Sequence, residues 1–363
     1  MSGNGLMMKI TKRQLKIFKY IVLGLAGFTI LLGLGYLALT WNKPLSSALN
    51  LPTETPQVSS TSDPDLLGTG TPSASETLSP TPTIEPVCGG PTTMNILVSG
   101  VASNTYLYGL ADAVRIARVD FQNKNVTVLA LPRDLWVEIP GLGDRGIYAG
   151  KLNQAYFYGT EGMGYFSGSG YGSGLLAETI QNDYGFRADN YLAVNLASFR
   201  RIIDTLGGID VFLPEDVYKK VNEQPKLFLK AGSHHLNGKE AEMLARNRIT
   251  IGDFGRINHQ SIVLRAVAAK LLSPSGVAAI PALVDQLKSN VLTDLSPAEI
   301  SQLVCLAGML DFQEDLEFVT LPEELMVEQM VYDPVRGINT AALVGDTPAI
   351  RQLMSDFDQR IWP

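Results

Sequence analysis

The sequence predicts an α/β fold, a central mixed β-sheet flanked by helices on both faces, preceded by one transmembrane helix. Three observations lead there. Short apolar runs of strand length recur between amphipathic helical segments from residue 94 onward, the alternation that builds a sheet covered by helices. A charge-free run, Tyr20 to Trp41, follows a basic N-terminus. Between the two lies a tract too poor in apolar side chains to bury a core.

Residues 1–19 carry Lys9, Lys12, Arg13, Lys16 and Lys19 and no acid. The uncharged residues 20–41 would span roughly 33 Å at ~1.5 Å per residue, close to the thickness of a bilayer core. Tyr20 and Trp41 suit the two interfaces. The basic side stays in the cytoplasm, which places everything beyond Trp41 outside. A cleaved signal peptide is the competing reading, but its apolar core is normally shorter. The expected localisation is the cell membrane, single-pass, with the N-terminus cytoplasmic and the domain extracytoplasmic. Residues 42–93 are expected to be a disordered stalk. From 43 to 93, 27 of 51 residues are Pro, Ser or Thr, and no Lys or Arg occurs between Lys43 and Arg115, so the tract has little with which to pack.

One domain, 94–363, is expected to follow. "MNILVSGV" is a buried strand. "DAVRIARVDFQNKNVTVLALP" reads as two strands about the polar turn "DFQNKN", with Val114, Ile116 and Val119 inside on the first and Val126, Val128 and Leu129 on the second. "LWVEIPG" is a strand closed by Pro-Gly. Residues 159–174 are glycine-rich and expected as a mobile loop; no phosphate-loop lysine follows them. "GSGLLAETIQNDYG" is helical, "DNYLAVN" a strand, and "LASFRRIIDTLGG" a helix with Leu196, Phe199, Ile202, Ile203 and Leu206 on one stripe. "IDVFLP" is a strand. Gly238 to Leu244 is helical, and Gln260 to Leu272 is a helix that buries Ile262, Val263, Ala266, Val267 and Leu271. The remainder is expected to be largely helical. It comprises "IPALVDQLKSNV", then "LSPAEISQLVCLAGML" behind the Ser296–Glu299 capping box, a strand "LEFVTLP", and a final helix "TPAIRQLMSDF".

The chain is acidic, net −7, which argues against general nucleic-acid binding, because that needs a basic surface to displace counterions. His234, His235 and His259 lack structural-zinc spacing, and the first two read as loop residues before a helix. Glu323 and Glu324 read as a solvated helix start. The glycine-rich text holds no convincing nucleophile elbow. Cys88 and Cys305 either pair, which an extracytoplasmic compartment permits, or stay apart with Cys305 buried; spacing does not choose.

Against this acidic background, Arg246, Arg248 and Arg256 crowd around Asp253. Guanidinium forks match the paired oxygens of a phosphate or diphosphate. Arg246 and Arg248 share a face only on extended chain, so they belong where a helix gives way. Arg256 and Gln260 share a helical face, and Asp253 is placed to cap that helix or accept from an arginine. The bland alternative is a set of surface ion pairs, each contributing about 0–1 kcal/mol. Arg133 and Asp134 leave an apolar strand in "LPRDLW", where ligands gather in α/β folds. Lys151, Asn153 and Tyr156 follow soon after, and Asp112 starts a strand. A carboxylate beside arginines can hold a divalent metal or orient an attacking hydroxyl.

The ordered run "MNILVSGV…ADAVRIARVDFQNKNVTVLALPRDLWVEIPG…KLNQAYFYG…FLKAGSHHLNGKEAEMLARNRI…DFGRINHQ", with "LGGIDVFLP" between, resembles the LytR–CpsA–Psr family. That resemblance implies a membrane-anchored phosphotransferase. It would move a glycopolymer from an undecaprenyl-diphosphate carrier to peptidoglycan, forming a phosphodiester. Arg133, Arg246 and Arg248 would grip the diphosphate, with Arg256 and Gln260 lining or bracing it. Asp112 would be a metal-associated aspartate for Mg2+ or Mn2+. Asp112, Arg133 and Asp253 would form the catalytic set. A hydrophobic tunnel between sheet and helices would hold the prenyl chain. Ala102 stands where the family has a first aspartate, Leu110 where it has an arginine, and His259 where arginine is common. Alanine ligates no metal, so affinity should be weaker unless a group such as Asn104 helps. The alternative is a noncatalytic polyprenyl-diphosphate-binding envelope protein with a degenerate metal site.

Overall fold

The computed structural model describes residues 39–52, 85–249, 252–276, 278–279, 282–283 and 290–361. Most of the expected membrane span, residues 20–38, and most of the expected stalk lie outside the described residues. No helix among the described residues is long and apolar enough to cross a membrane. In chain order, β1 (Thr93–Val101), β2 (Ala111–Asp120) and β3 (Asn125–Leu131) form a meander. A short pair follows, β4 (Trp136–Glu138) with β5 (Ala149–Lys151), then α1 (Leu152–Tyr158), α2 (Tyr171–Tyr184) and β6 (Asn190–Asn195). Next come α3 (Leu196–Thr205), β7 (Ile209–Leu213), β8 (Val217–Val221), β9 (Gln224–Leu229), β10 (Gly232–Leu236), α4 (Gly238–Ala245) and α5 (Gly252–Leu272). The chain then runs through β11 (Val291–Thr293), α6 (Pro297–Ala307), β12 (Leu316–Thr320), β13 (Met326–Asp333), β14 (Ile338–Gly345) and α7 (Thr347–Asp358).

The main sheet has the order β11-β6-β1-β2-β3-β12. β1 is parallel to β6 and β3 to β12, while the other neighbours are antiparallel, so the sheet is mixed. The β2–β3 turn forms where the Asp120 carboxylate accepts from the Gln122 and Asn123 amides, a side-chain mimic of a backbone turn. One face of the sheet presents Leu97, Ile116 and Leu129, each at most 1% exposed, to α2 and α7 through Ala177, Ile180 and Phe357. Each such aliphatic side chain contributes about 1.5–3 kcal/mol on burial. On the other face Met94, Ile96 and Val119 pack with Ile300, Leu303 and Leu306 around α6. Helices therefore cover both faces, as the sequence predicts.

Several expectations need correction. "IDVFLP" is a strand, but it pairs with β10 in a separate two-stranded sheet over a second core of Ile203, Ile209, Leu213, Leu244 and Val263. His234 and His235 are therefore strand residues rather than loop residues. The alternation of "GSHHL" is masked by two polar side chains, although only Leu236 needs to be buried. α5 begins eight residues before Gln260, at Gly252. Of its expected core positions, Val263 and Ala266 are buried and Ile262, Val267 and Leu271 are partly exposed. The C-terminal part is less helical than expected: β13 and β14 form a hairpin whose turn is closed by Asp333. The glycine-rich segment is packed, not free. A Cβ on Gly159 would lie 2.7 Å from the Leu175 Cβ, and one on Gly174 1.9 Å from the Ser169 carbonyl oxygen, so glycine here permits close approach.

Trp41, the last residue of the expected span, and residues 42–52, expected as the first part of the stalk, are laid along the domain instead. Ala298 N donates to Trp41 O, Leu45 N to Leu295 O, Leu49 N to the Asp294 carboxylate, and Gln181 Nε2 to Pro52 O. Leu51 is buried in the main core with Leu49 beside it. Composition averaged over the whole tract hides three leucines spaced to pack. Cys88 and Cys305 form a disulfide, which ties the entry to β1 onto α6 and resolves the choice left open by the sequence.

Candidate functional site

β1, β3 and β6 run in one direction and β2 in the other. The start of β2, the end of β1 and the exit of β3 therefore meet at one edge, outside the carboxyl ends of the parallel strands, where α/β sheets bind ligands. Asp112 sits at the second residue of β2 and Arg133 two residues beyond β3. The first turns of α5 bring Asp253, Arg256 and Gln260 to the same edge.

Arg133 is the hub. Its Nη1 donates to Asp112 at 2.6 Å, its Nε lies 3.3 Å from Asp134, and Asp253 is 3.5 Å away. Lys151 Nζ donates to Asp134 at 2.8 Å, and Arg256 Nη2 approaches the Asp253 carboxylate at 2.8 Å. The Arg256 side chain is only 3% exposed. Three carboxylates thus face three cations in a partly desolvated cluster, where each pair is stronger than at the surface.

Burial works to lower the Arg133 guanidinium pKa, but Asp112, Asp134 and Asp253 outweigh it and raise it. Burial pushes the Asp134 carboxyl up; Lys151 and Arg133 outweigh burial and hold it below the usual range. Burial lifts Asp253 above the ordinary value despite the charges of Arg256 and Arg133. It lowers Arg256, with the like charge of Arg133 acting in the same sense.

Gln260 Nε2 reaches the Asp112 carbonyl oxygen at 3.5 Å, and its Oε1 faces Arg115 Nη2 at 3.4 Å. Arg246 and Arg248 stand apart from this buried set. α4 ends at Ala245, so both lie on non-helical chain, as their spacing suggests. Both are exposed and line a groove of about 370 Å³ with Lys219, Phe228, Met243 and Ile249. Arg246 donates to Glu242, which also pairs with Arg200. Arg248 is near enough to influence the charges of Asp253 and Arg256. The sequence-predicted residues therefore form two tiers, a buried network and an exposed arginine pair, with Arg248 close enough to the first to act on Asp253 and Arg256.

A divalent cation fits these side chains poorly. Asp112 is engaged by Arg133, Ala102 supplies no oxygen ligand, and Asn104 accepts from Arg200 instead. Among the described residues no three His, Cys, Asp or Glu converge as a metal site. Residue order places Asp134 and Lys151 near the strand end without a role, and it assigns none to Arg115. The ion pairs Lys151–Asp134 and Arg133–Asp134, which only the tertiary structure brings together, give the first two their part in the site. Arg115, a charge between Val114 and Ile116 in the middle of β2, is the one readable signal.

The family model described as the LytR_cpsA_psr family matches residues 73–349. The polyisoprenyl-teichoic acid–peptidoglycan teichoic acid transferase TagV of Bacillus subtilis is 32% identical over 195 residues, 53% of this chain and 46% of that protein. The chain thus spans about half of that relative's length. The regulatory protein MsrR of Staphylococcus aureus is 28% identical over 267 residues, 73% of this chain and 74% of that protein. The crystal structure of B. subtilis TagV superposes with a TM-score of 0.57 at 26% identity, covering 74% of this chain and 98% of that one.

Proposed function

The chain belongs to the LytR–CpsA–Psr family, and from that premise we propose that it is a membrane-anchored phosphotransferase of the cell envelope. It moves a glycopolymer from a polyprenyl-diphosphate carrier, such as undecaprenyl diphosphate, to peptidoglycan. The carrying observation is the convergence of Arg133, Arg256 and Gln260, with three carboxylates, beside the groove lined by Arg246 and Arg248. Guanidinium groups in a partly desolvated cluster suit a diphosphate, each charge-assisted contact contributing about 1.5–3 kcal/mol. On the sheet face that packs against α6, Val98, Ala117, Val128 and Leu192 of central strands remain partly exposed. This supports a place for the prenyl chain.

In the proposed reaction an acceptor hydroxyl oxygen attacks the phosphorus bonded to the polymer. The bond from that phosphorus to the bridging oxygen breaks, and the prenyl monophosphate leaves with the bond's electrons. The hydroxyl proton passes to Asp253, whose burial raises its proton affinity. Arg133, Arg246 and Arg248 stabilise charge as it builds on the leaving phosphate. The residues do not form a protein-only metal site, so no step is assigned to Mg2+ or Mn2+.

A second reading has its own observation. Ala102 and the Arg133-occupied Asp112 favour a noncatalytic binder of polyprenyl diphosphates. Transfer of a labelled polymer from its lipid carrier onto peptidoglycan, with and without Mg2+ or Mn2+, separates the two. Transfer supports the phosphotransferase. Binding without transfer, with activity gained on Ala102→Asp, supports the binder. Failure of diphosphate lipids to bind sinks both.

A further inference from the structure

Arg115 is the least satisfied charge among the described residues. It points from the middle of β2 and is 2% exposed. One nitrogen, Nη2, donates to the Ile257 carbonyl oxygen at 3.0 Å and faces Gln260 Oε1 at 3.4 Å. Its Nε and Nη1 are buried without a hydrogen-bond partner. Among the described residues no carboxylate lies within ion-pair distance of it. Burial lowers the guanidinium only to about 10, so it remains charged at neutral pH. A buried charge without a counter-charge is strongly unfavourable, and a purely structural role at this position would be filled better by an apolar side chain.

Its surroundings say what would pair with it. Arg115 is flanked in register by Val98 and Ala130. Its same-face neighbours Val98, Ala113, Ala117 and Leu192 are partly exposed, whereas Leu97, Ile116 and Leu129 on the opposite face are sealed. Apolar, accessible surface therefore runs along the sheet up to Arg115. On its other side, Gln260 links it to Asp112 and so to the network around Arg133. Arg115 stands where an apolar path meets the polar site.

We propose that Arg115 is a phosphate-binding residue of the site, taking the diphosphate of a prenyl ligand whose apolar chain lies along the sheet beneath α5. The unpaired Nε and Nη1 lie on the two different edges of the guanidinium that share Nη2, so each leaves a donor that an anionic oxygen can accept from. Gln260, whose Oε1 faces Nη2 and whose Nε2 reaches the Asp112 carbonyl oxygen, stands between Arg115 and the Arg133 network, where it can share the same ligand. This inference rests on the prenyl-diphosphate reading above and adds to it a ligand contact drawn from the interior of the sheet.

The test measures binding of geranylgeranyl diphosphate, geranylgeranyl monophosphate and inorganic diphosphate by calorimetry, using the detergent-solubilised full chain, with thermal unfolding in parallel. Wild type is expected to prefer the prenyl diphosphate over both other probes. Arg115→Met is expected to weaken prenyl-diphosphate binding at least tenfold, about 1.4 kcal/mol, and to shrink the preference over the monophosphate, while Tm stays level or rises because an unpaired buried charge is gone. Arg115→Gln keeps a donor toward Ile257 and removes the charge. It should lose affinity like the Met variant, and it serves in its place if the Met variant does not fold. Unchanged affinity and preference in a folded variant overturn the inference alone, as does a fall in Tm with affinity retained. A wild type that binds none of the prenyl probes overturns the functional reading and the inference with it. Equal binding of inorganic and prenyl diphosphate overturns the placement of the lipid chain along the sheet.

Discussion

Arg133 makes three ionic contacts through one side chain that is 10% exposed. Arg133→Ala leaves Asp112, Asp134 and Asp253 facing each other without their shared cation. Truncating one partner of a buried pair typically costs about 3–5 kcal/mol; here partial solvent access to the carboxylates should keep the loss near 3 kcal/mol, measured by urea denaturation. Diphosphate binding should fall with it. Asp134 makes a pH prediction. Its folded pKa lies below its unfolded value, roughly 3.9. Its contribution is therefore fully present above that pH and is lost as pH falls through the folded value. Asp134→Asn should lower stability at pH 7 and flatten its decline below about pH 4. An acid limb identical to wild type would show that Asp134 is not held by Lys151 and Arg133.

At the level of elements, the Cys88–Cys305 bridge joins the turn before β1 to α6 across a sequence separation of 217. Cross-linking so distant a pair restricts the unfolded chain, and losing such a bridge typically costs about 2–5 kcal/mol. Cys88→Ser with Cys305→Ser should lower stability by that amount in chemical denaturation. The arginine tiers should be less affected, because they hang on β2, β3 and α5 rather than on α6. The site is also a product of where elements end. α4 stops at Ala245, which frees Arg246 and Arg248 for the exposed tier. α5 begins at Gly252, which places Asp253, Arg256 and Gln260 on its first two turns. A helix running unbroken through residues 246–251 would splay Arg246 and Arg248 apart.

For the whole molecule, the segment 41–52 alters how the domain relates to the apolar run that precedes it. Trp41, the last residue of that run, is hydrogen-bonded to the start of α6, and Leu51 reaches the main core. Leu51→Asp in a chain starting at residue 39 should lower stability by about 2 kcal/mol, the burial value of one leucine, and should make the segment susceptible to proteolysis. Unchanged stability and unchanged cleavage would mean that the segment does not dock in solution.

Much of this was legible from residue order. The alternation of apolar runs in "MNILVSGV" and "NVTVLAL", the capping box at Ser296, and the helical spacing of Arg256 and Gln260 are local signals, because side-chain periodicity and caps act over a few residues. Those signals determined the α/β class, most of the element order and the charged residues of the site. Tertiary structure alone decided which of those charges meet. Arg133 and Asp112 are 21 residues apart and Asp253 lies on a different element, so no local period brings them together. It likewise decided the disulfide, the docking of Leu51, the separate sheet under β7 and the isolation of Arg115. Each depends on long-range packing, where the free energy of burying one surface is set by a partner distant in the chain.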